Sequence, residues 1–115
     1  MSSHPAFGLE PILTDRARFE LGRSEVTPWA VDEAVFAVHR TLHNKGLSSD
    51  IVVDAVQDPE SPPPPTIGIT VFVKDVTSKD RFELWDSLAQ EVEEALSRWK
   101  PEHRIVVIVK KDGGA

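Results

Sequence analysis

The sequence predicts an α+β fold of the ferredoxin-like type, in which two helices cover one face of a four-stranded antiparallel sheet. Stretches of alternating polar and apolar residues, typical of strands, are interleaved with two stretches in which apolar residues recur every three or four positions, typical of helices. Their order is strand, helix, strand, strand, helix, strand (βαββαβ). The length of 115 residues, of which 40% are hydrophobic, suits one domain.

The first predicted strand covers Arg16 to Leu21, where polar and apolar residues alternate strictly. It is the shortest predicted element. Without it the order becomes helix, strand, strand, helix, strand (αββαβ), which resembles the small cytoplasmic dimerisation domain of cation diffusion transporters or a KH-like module. Residues 1–15 lack periodicity and predict an irregular leader. The domain is therefore expected over residues 16–111, followed by a flexible tail at 112–115.

The first helix is predicted from Pro28 to Lys45, with Thr27 as its capping residue and Pro28 at the first helical position. Two strands should follow, because residues 50–57 and 66–74 are rich in β-branched residues and the second stretch alternates. The four prolines from Pro62 to Pro65 cannot donate ladder hydrogen bonds, so they predict an extended loop between these strands.

The second helix is predicted to begin after Thr77, which has Asp80 three residues later in a variant of the capping box, and Pro101 follows its end. The apolar stripe predicted to face the core consists of Phe82, Trp85, Leu88, Ala89, Val92, Leu96 and Trp99. The last strand, Arg104 to Lys110, is apolar on both faces.

A sheet with helices on one side should be polar on the other, yet this chain places apolar residues on both sides of its strands. The residues predicted for the uncovered face include Thr70, Phe72, Val106 and Ile108. Because exposing such a patch is unfavourable, we expect a homodimer or larger assembly that packs through the open face of the sheet. The alternative is a monomer in which residues 1–15 cover that face.

Charge and composition narrow the functional classes. Thirteen basic and nineteen acidic residues give a net charge of −6, which disfavours binding to nucleic acid or to anionic lipid. The absence of cysteine excludes disulfides, thiolate metal ligands and a cysteine nucleophile. No apolar run approaches the length needed to span a bilayer, and the first residues lack a signal-peptide pattern, so we expect a cytoplasmic protein without membrane contact.

His39 and His43 are the only metal-site candidates that the spacing suggests. They are four residues apart on the first helix, the spacing of a two-ligand clip, but no third ligand is apparent near them. Boundary or surface roles are the simpler interpretation, so we expect no metal and no other cofactor.

The leading hypothesis is a noncatalytic α/β module that binds or assembles through its sheet. No arrangement of residues in the sequence indicates a catalytic site. The alternative is a small dimeric enzyme of the α/β-barrel type, with a pocket enclosed between two facing sheets.

Overall fold

Seven elements follow one another in the computed structural model, which describes residues 11–47, 49–74 and 76–111. They are β1 (Ile12–Leu13), α1 (Asp15–Gly22), α2 (Thr27–Asn44), β2 (Asp50–Val56), β3 (Thr66–Val73), α3 (Ser78–Leu96) and β4 (Ile105–Lys111). The short strand β1 lies within the segment predicted to be an irregular leader. Residues 1–10 of that leader and the tail predicted at 112–115 lie outside the described residues.

The four strands form one mixed sheet in the order β1, β2, β3, β4. β2 and β3 are antiparallel neighbours, whereas β1 pairs with β2, and β3 with β4, in parallel. The prediction of a wholly antiparallel ferredoxin-like sheet is therefore wrong, because the two strands that flank α3 lie side by side. From α2 onward the order is the alternative one: helix, strand, strand, helix, strand.

The segment predicted as the first strand, Arg16 to Leu21, lies inside helix α1. The hydroxyl of Thr14 accepts a hydrogen bond from the backbone N–H of Ala17 (3.2 Å) and caps the helix, while Asp15 complements the positive end of its dipole. Ala17 is fully buried and Leu21, one turn later, packs against the core. Capping and helix-forming residues thus outweigh an alternation that is only six residues long.

The core lies between the helices and one face of the sheet. Every second residue of β2 and β3 is buried there, and α2 contributes a broad apolar stripe. The buried strand residues of this core are Ile51, Val53, Ala55, Ile67, Ile69, Val71, Val73 and Val107. Because all of these side chains point to the helical side, the opposite face of the sheet is left for other contacts.

Helix α3 begins after its predicted cap, since the hydroxyl of Thr77 accepts from the backbone N–H of Asp80 (3.0 Å). Its buried residues are Leu84, Leu88 and Val92, so the stripe is rotated relative to the predicted one. Trp85 is 39% exposed and its indole N–H donates to the backbone carbonyl of Val107 on the outermost strand (2.9 Å). The prediction that Trp85 belongs to the core is wrong, because its ring lies along the edge of the sheet.

Candidate interaction face

The face of the sheet opposite the helices, which we call the open face, is formed by the alternate residues of β2, β3 and β4. The strand registers arrange its side chains in rows that run across the strands. In order along the strands, the rows are Asp50, Phe72 and Lys110; Val52, Thr70 and Ile108; Asp54, Gly68 and Val106; and Val56 and Thr66.

The four residues predicted to form an interface are neighbours on β3 and β4 of the open face. Thr70 is paired with Ile108, and Phe72 and Val106 occupy the rows on either side. Ile108 is 37% exposed, and the other three are half-buried. Gly68 leaves room above β3, where the Cδ1 atom of Ile108 lies 3.6 Å from the position a Cβ would take. The side chain of Ile108 therefore extends over Gly68.

Two further apolar side chains enlarge this surface toward the β1 edge. Ile12 is 60% exposed and lies beside Val52, with which it is paired, and Val56 is 50% exposed at the end of β2. A contiguous apolar surface of this kind is unfavourable in water and is typical of a contact site.

Charged residues are distributed unequally between the two sides of the open face. Asp50 and Asp54 belong to β2, whereas Lys110 belongs to β4 and Arg104 immediately precedes that strand. The Oδ1 atom of Asp54 accepts hydrogen bonds from the Thr14 hydroxyl (2.6 Å) and from the backbone N–H of Ala55 (2.8 Å). Asp54 is therefore engaged within the chain. The open face has an acidic side along β2 and a basic side along β4.

The histidine pair lies on α2, on the helical side of the molecule. His39 is half-buried and His43 is exposed near the end of the helix. Within residues 11–47, 49–74 and 76–111 there is no group of three or more histidine, aspartate or glutamate side chains placed to hold a metal ion.

A second polar cluster, centred on Glu102, joins the loop before β4 to the start of α2. Val26 provides no side-chain cap for this helix. The Glu102 carboxylate accepts instead from the backbone N–H groups of Glu25 (3.3 Å), Val26 (3.3 Å) and Thr27 (3.1 Å). It also accepts from the hydroxyl of Thr27 (2.9 Å), which was predicted to cap the helix itself. A carboxylate from a distant loop therefore satisfies the helix N-terminus.

The hydrogen bonds around Glu102 change its acidity. Its own backbone N–H and the Thr27 hydroxyl, followed by the backbone N–H groups of Thr27 and Glu25, lower the pKa of Glu102 from 4.5 to about 2. Desolvation opposes this shift without reversing it. Glu102 is therefore ionised at any pH near neutrality and complements the positive end of α2 throughout that range.

His103 is buried beside this cap and connects three elements. Its Nε2 atom lies 3.0 Å from Oε1 of Glu20, and its Nδ1 atom lies 3.0 Å from the Thr27 hydroxyl and 3.3 Å from the Ser24 hydroxyl. Sequence reasoning found no partner for this histidine, because Glu20 and Ser24 are about eighty positions away. Only the tertiary fold brings them together.

His103 contacts both Glu20 and Ser24, and these three residue types are those of a nucleophilic triad. A cavity of about 350 Å³ adjoins them. Acyl transfer also needs N–H donors aimed at a developing oxyanion. The neighbouring backbone N–H groups at the start of α2 are already engaged by Glu102. The cluster is best explained as a clasp that holds the turn between α1 and α2 against the loop before β4.

Fold and surface together define an α+β domain with helices on one side of a mixed four-stranded sheet and an apolar open face on the other. No protein-family model matches the chain, and comparisons with curated proteins and with solved structures gave no match. Among the described residues, none of the helices has the length and apolar character required to cross a bilayer.

Proposed function

We propose that the protein is a noncatalytic interaction module whose copies associate by packing open face against open face. The observation that supports this proposal is the apolar row of Val52, Thr70 and Ile108, flanked by Phe72 and Val106, on the side of the sheet away from the helices. Burying apolar surface contributes roughly 25 cal/mol per Å². Two sheets can stack face to face about 10 Å apart with their side chains interdigitated, which would bury this row.

The size of the open face limits the strength of this association. Three strands about 4.8 Å apart, with rows spread over about 20 Å along the strands, cover on the order of 300 Å² in projection. A standard interface buries about 800 Å² of accessible surface per partner. We therefore expect a reversible dimer with a dissociation constant on the order of 1 to 100 µM.

We prefer this proposal to the two alternatives from the sequence, which are a monomer whose leader covers the open face and a small dimeric enzyme with a pocket between facing sheets. Residues 12 and 13, which were predicted to belong to a leader that could cover the sheet, extend the sheet at its edge as β1. An enzyme with a pocket between facing sheets needs convergent polar groups. Among the described residues, the polar groups of the open face other than Asp50 and Lys110 are Thr66, Thr70 and Asp54, and Asp54 is engaged by Thr14.

A cytoplasmic location and the absence of nucleic-acid and membrane partners remain part of the proposal. The net charge of −6 supports the absence of nucleic-acid and anionic-membrane partners. The partner that the open face fits best is a second copy of the same chain.

The test is a pair of matched lysine substitutions followed by mass measurement. Ile108→Lys puts a charge into the row of Val52, Thr70 and Ile108, and we expect a 12.8 kDa monomer at concentrations where the unmodified protein dimerises. Phe36→Lys is the control, because Phe36 is 49% exposed on α2, away from the open face, and this variant should dimerise like the unmodified protein. Equal dimerisation of both variants, measured by chromatography with light scattering, would count against the proposed face.

A further inference from the structure

We infer that the two copies are related by a two-fold axis that runs along β3, so that β2 of each copy lies over β4 of the other. This inference rests on the proposed self-association and adds its geometry and its specificity-determining residues. The partner it specifies is a second copy of the chain. The inference follows from the unequal distribution of charge over the open face and from the strand registers.

Face-to-face packing of two identical sheets allows two simple two-fold arrangements. In one, the axis is parallel to the strands, so each row faces the same row of the partner with its ends exchanged. In the other, the axis runs across the strands, so each strand faces its own copy with the order of the rows reversed. A two-fold interface must be complementary to itself, and the two arrangements bring different charges together.

With the axis along β3, the row of Asp50, Phe72 and Lys110 faces itself with its ends exchanged. Asp50 then lies opposite the partner's Lys110, and the symmetry repeats this ion pair on the other side. Val52 lies opposite the partner's Ile108, and Phe72 and Thr70 lie near their own copies on the axis. One pair of opposite charges therefore meets on each side of the interface, next to the apolar contacts of Val52 with Ile108.

With the axis across the strands, the charges are mismatched. The start of β4 would lie over the end of the partner's β4, so that Arg104 faces the partner's Lys110. Asp50 would face the partner's Val56, but Arg104 likewise faces the partner's Val56 when the axis runs along β3, so this mismatch is common to both arrangements. The two arrangements differ in the partner of Lys110, which is Asp50 when the axis runs along β3 and Arg104 when it runs across the strands. Like charges in apposition disfavour association. The charges of this face therefore favour the arrangement with the axis along β3.

Asp50 and Lys110 do not have this partnership inside one chain. They occupy the same row but are separated by β3, and two strand spacings amount to about 9.6 Å. Both side chains are exposed, so each can reach toward a facing sheet about 10 Å away. The flexible stem of lysine accommodates the angle of about 30° at which twisted sheets pack.

The test uses charge reversal in two separate variants, Asp50→Lys and Lys110→Asp, studied alone and mixed by sedimentation at low salt. Each variant alone places like charges opposite one another in its homodimer, so its dissociation constant should rise at least ~10-fold. An equimolar mixture forms a heterodimer in which both pairs again have opposite charges, so its dissociation constant should return to within about 3-fold of the unmodified value. Glu83→Lys, on the exposed side of α3, is the charge-reversal control and should not weaken the dimer.

The outcomes separate the geometry from the proposed function. If the unmodified protein dimerises and the mixture of variants associates no better than either variant alone, the axis along β3 is wrong while self-association stands. A concentration of 500 µM is about five times the largest dissociation constant expected for a face of this size. If the unmodified protein is still monomeric at that concentration, both the proposed self-association and the axis along β3 are wrong. Circular dichroism of each variant verifies that the fold is retained, and recovery in the mixture cannot come from misfolded chains.

Discussion

Replacing Thr27 by valine should destabilise the protein by removing one hydroxyl from the clasp between α2 and the loop before β4. Thr27 is fully buried, and valine has nearly the same shape. The hydroxyl donates to Glu102 (2.9 Å) and accepts from the backbone N–H groups of Glu102 (3.1 Å) and His103 (3.3 Å). Valine can replace none of these contacts, and His103 is itself buried.

The size of the effect follows from the groups left without partners. Each buried donor deprived of its acceptor costs about 1 to 3 kcal/mol, so the free energy of unfolding should fall by about 3 kcal/mol in the Thr27→Val protein. For 115 residues the entropy of unfolding is about 0.24 kcal/mol/K, from about 2.1 cal/mol/K per residue. The melting temperature should therefore fall by about 12 °C.

Thermal unfolding followed by circular dichroism at neutral pH measures this change directly. Thr41→Val, a half-exposed threonine on the same helix, controls for the difference in helix propensity between the two residue types. A melting temperature for Thr27→Val within 2 °C of that for Thr41→Val would refute the reasoning, because it would mean that the buried hydroxyl network contributes nothing to stability.

Three other substitutions test the acidity of the cap and the orientation of α3. Because the pKa of Glu102 falls from 4.5 in the unfolded chain to about 2 in the folded one, its stabilising effect is fully present above pH 4.5 and disappears as the pH falls toward 2. The difference in melting temperature between the unmodified protein and Glu102→Gln should therefore be smaller at pH 3 than at pH 7, and a difference that grows on acidification would contradict the cap. Leu88→Ala should lower the free energy of unfolding by about 2 to 5 kcal/mol in urea titrations, since Leu88 is fully buried. Phe82→Ala should lower the free energy of unfolding by less than about 1 kcal/mol, since Phe82 is 65% exposed. If the two substitutions lower it equally, Phe82 faces the core as the sequence alone predicts.

Local patterns predicted most of the elements, and tertiary packing decided the rest. Helix α2 and strands β2, β3 and β4 lie within a residue or two of their predicted limits, because each has a long apolar pattern or a clear boundary signal. The segment from Arg16 to Leu21 satisfied a strand pattern over too few residues to outweigh the cap at Thr14. The parallel pairing of β3 with β4 depends on which strands become neighbours, and no local pattern encodes that choice.

The sequence predicts the residues of the open face but not the clasp, because only the first depend on a local pattern. Thr70, Phe72, Val106 and Ile108 share the open face because alternation along a strand fixes which side chains point together. The clasp of Glu102 and His103 was missed, since its members come from α1, α2 and the loop before β4. No local signal could have revealed this cap, because the sequence offers Thr27 as the capping residue and only the structure places Val26 at the N-cap position.

Sedimentation velocity of the unmodified protein across 1 to 500 µM tests the central claim most directly. Self-association through the open face predicts that the weight-average mass rises from 12.8 kDa toward twice that value, with a midpoint on the order of 1 to 100 µM, and that Ile108→Lys abolishes the rise. A constant mass of 12.8 kDa over the whole range would contradict the account.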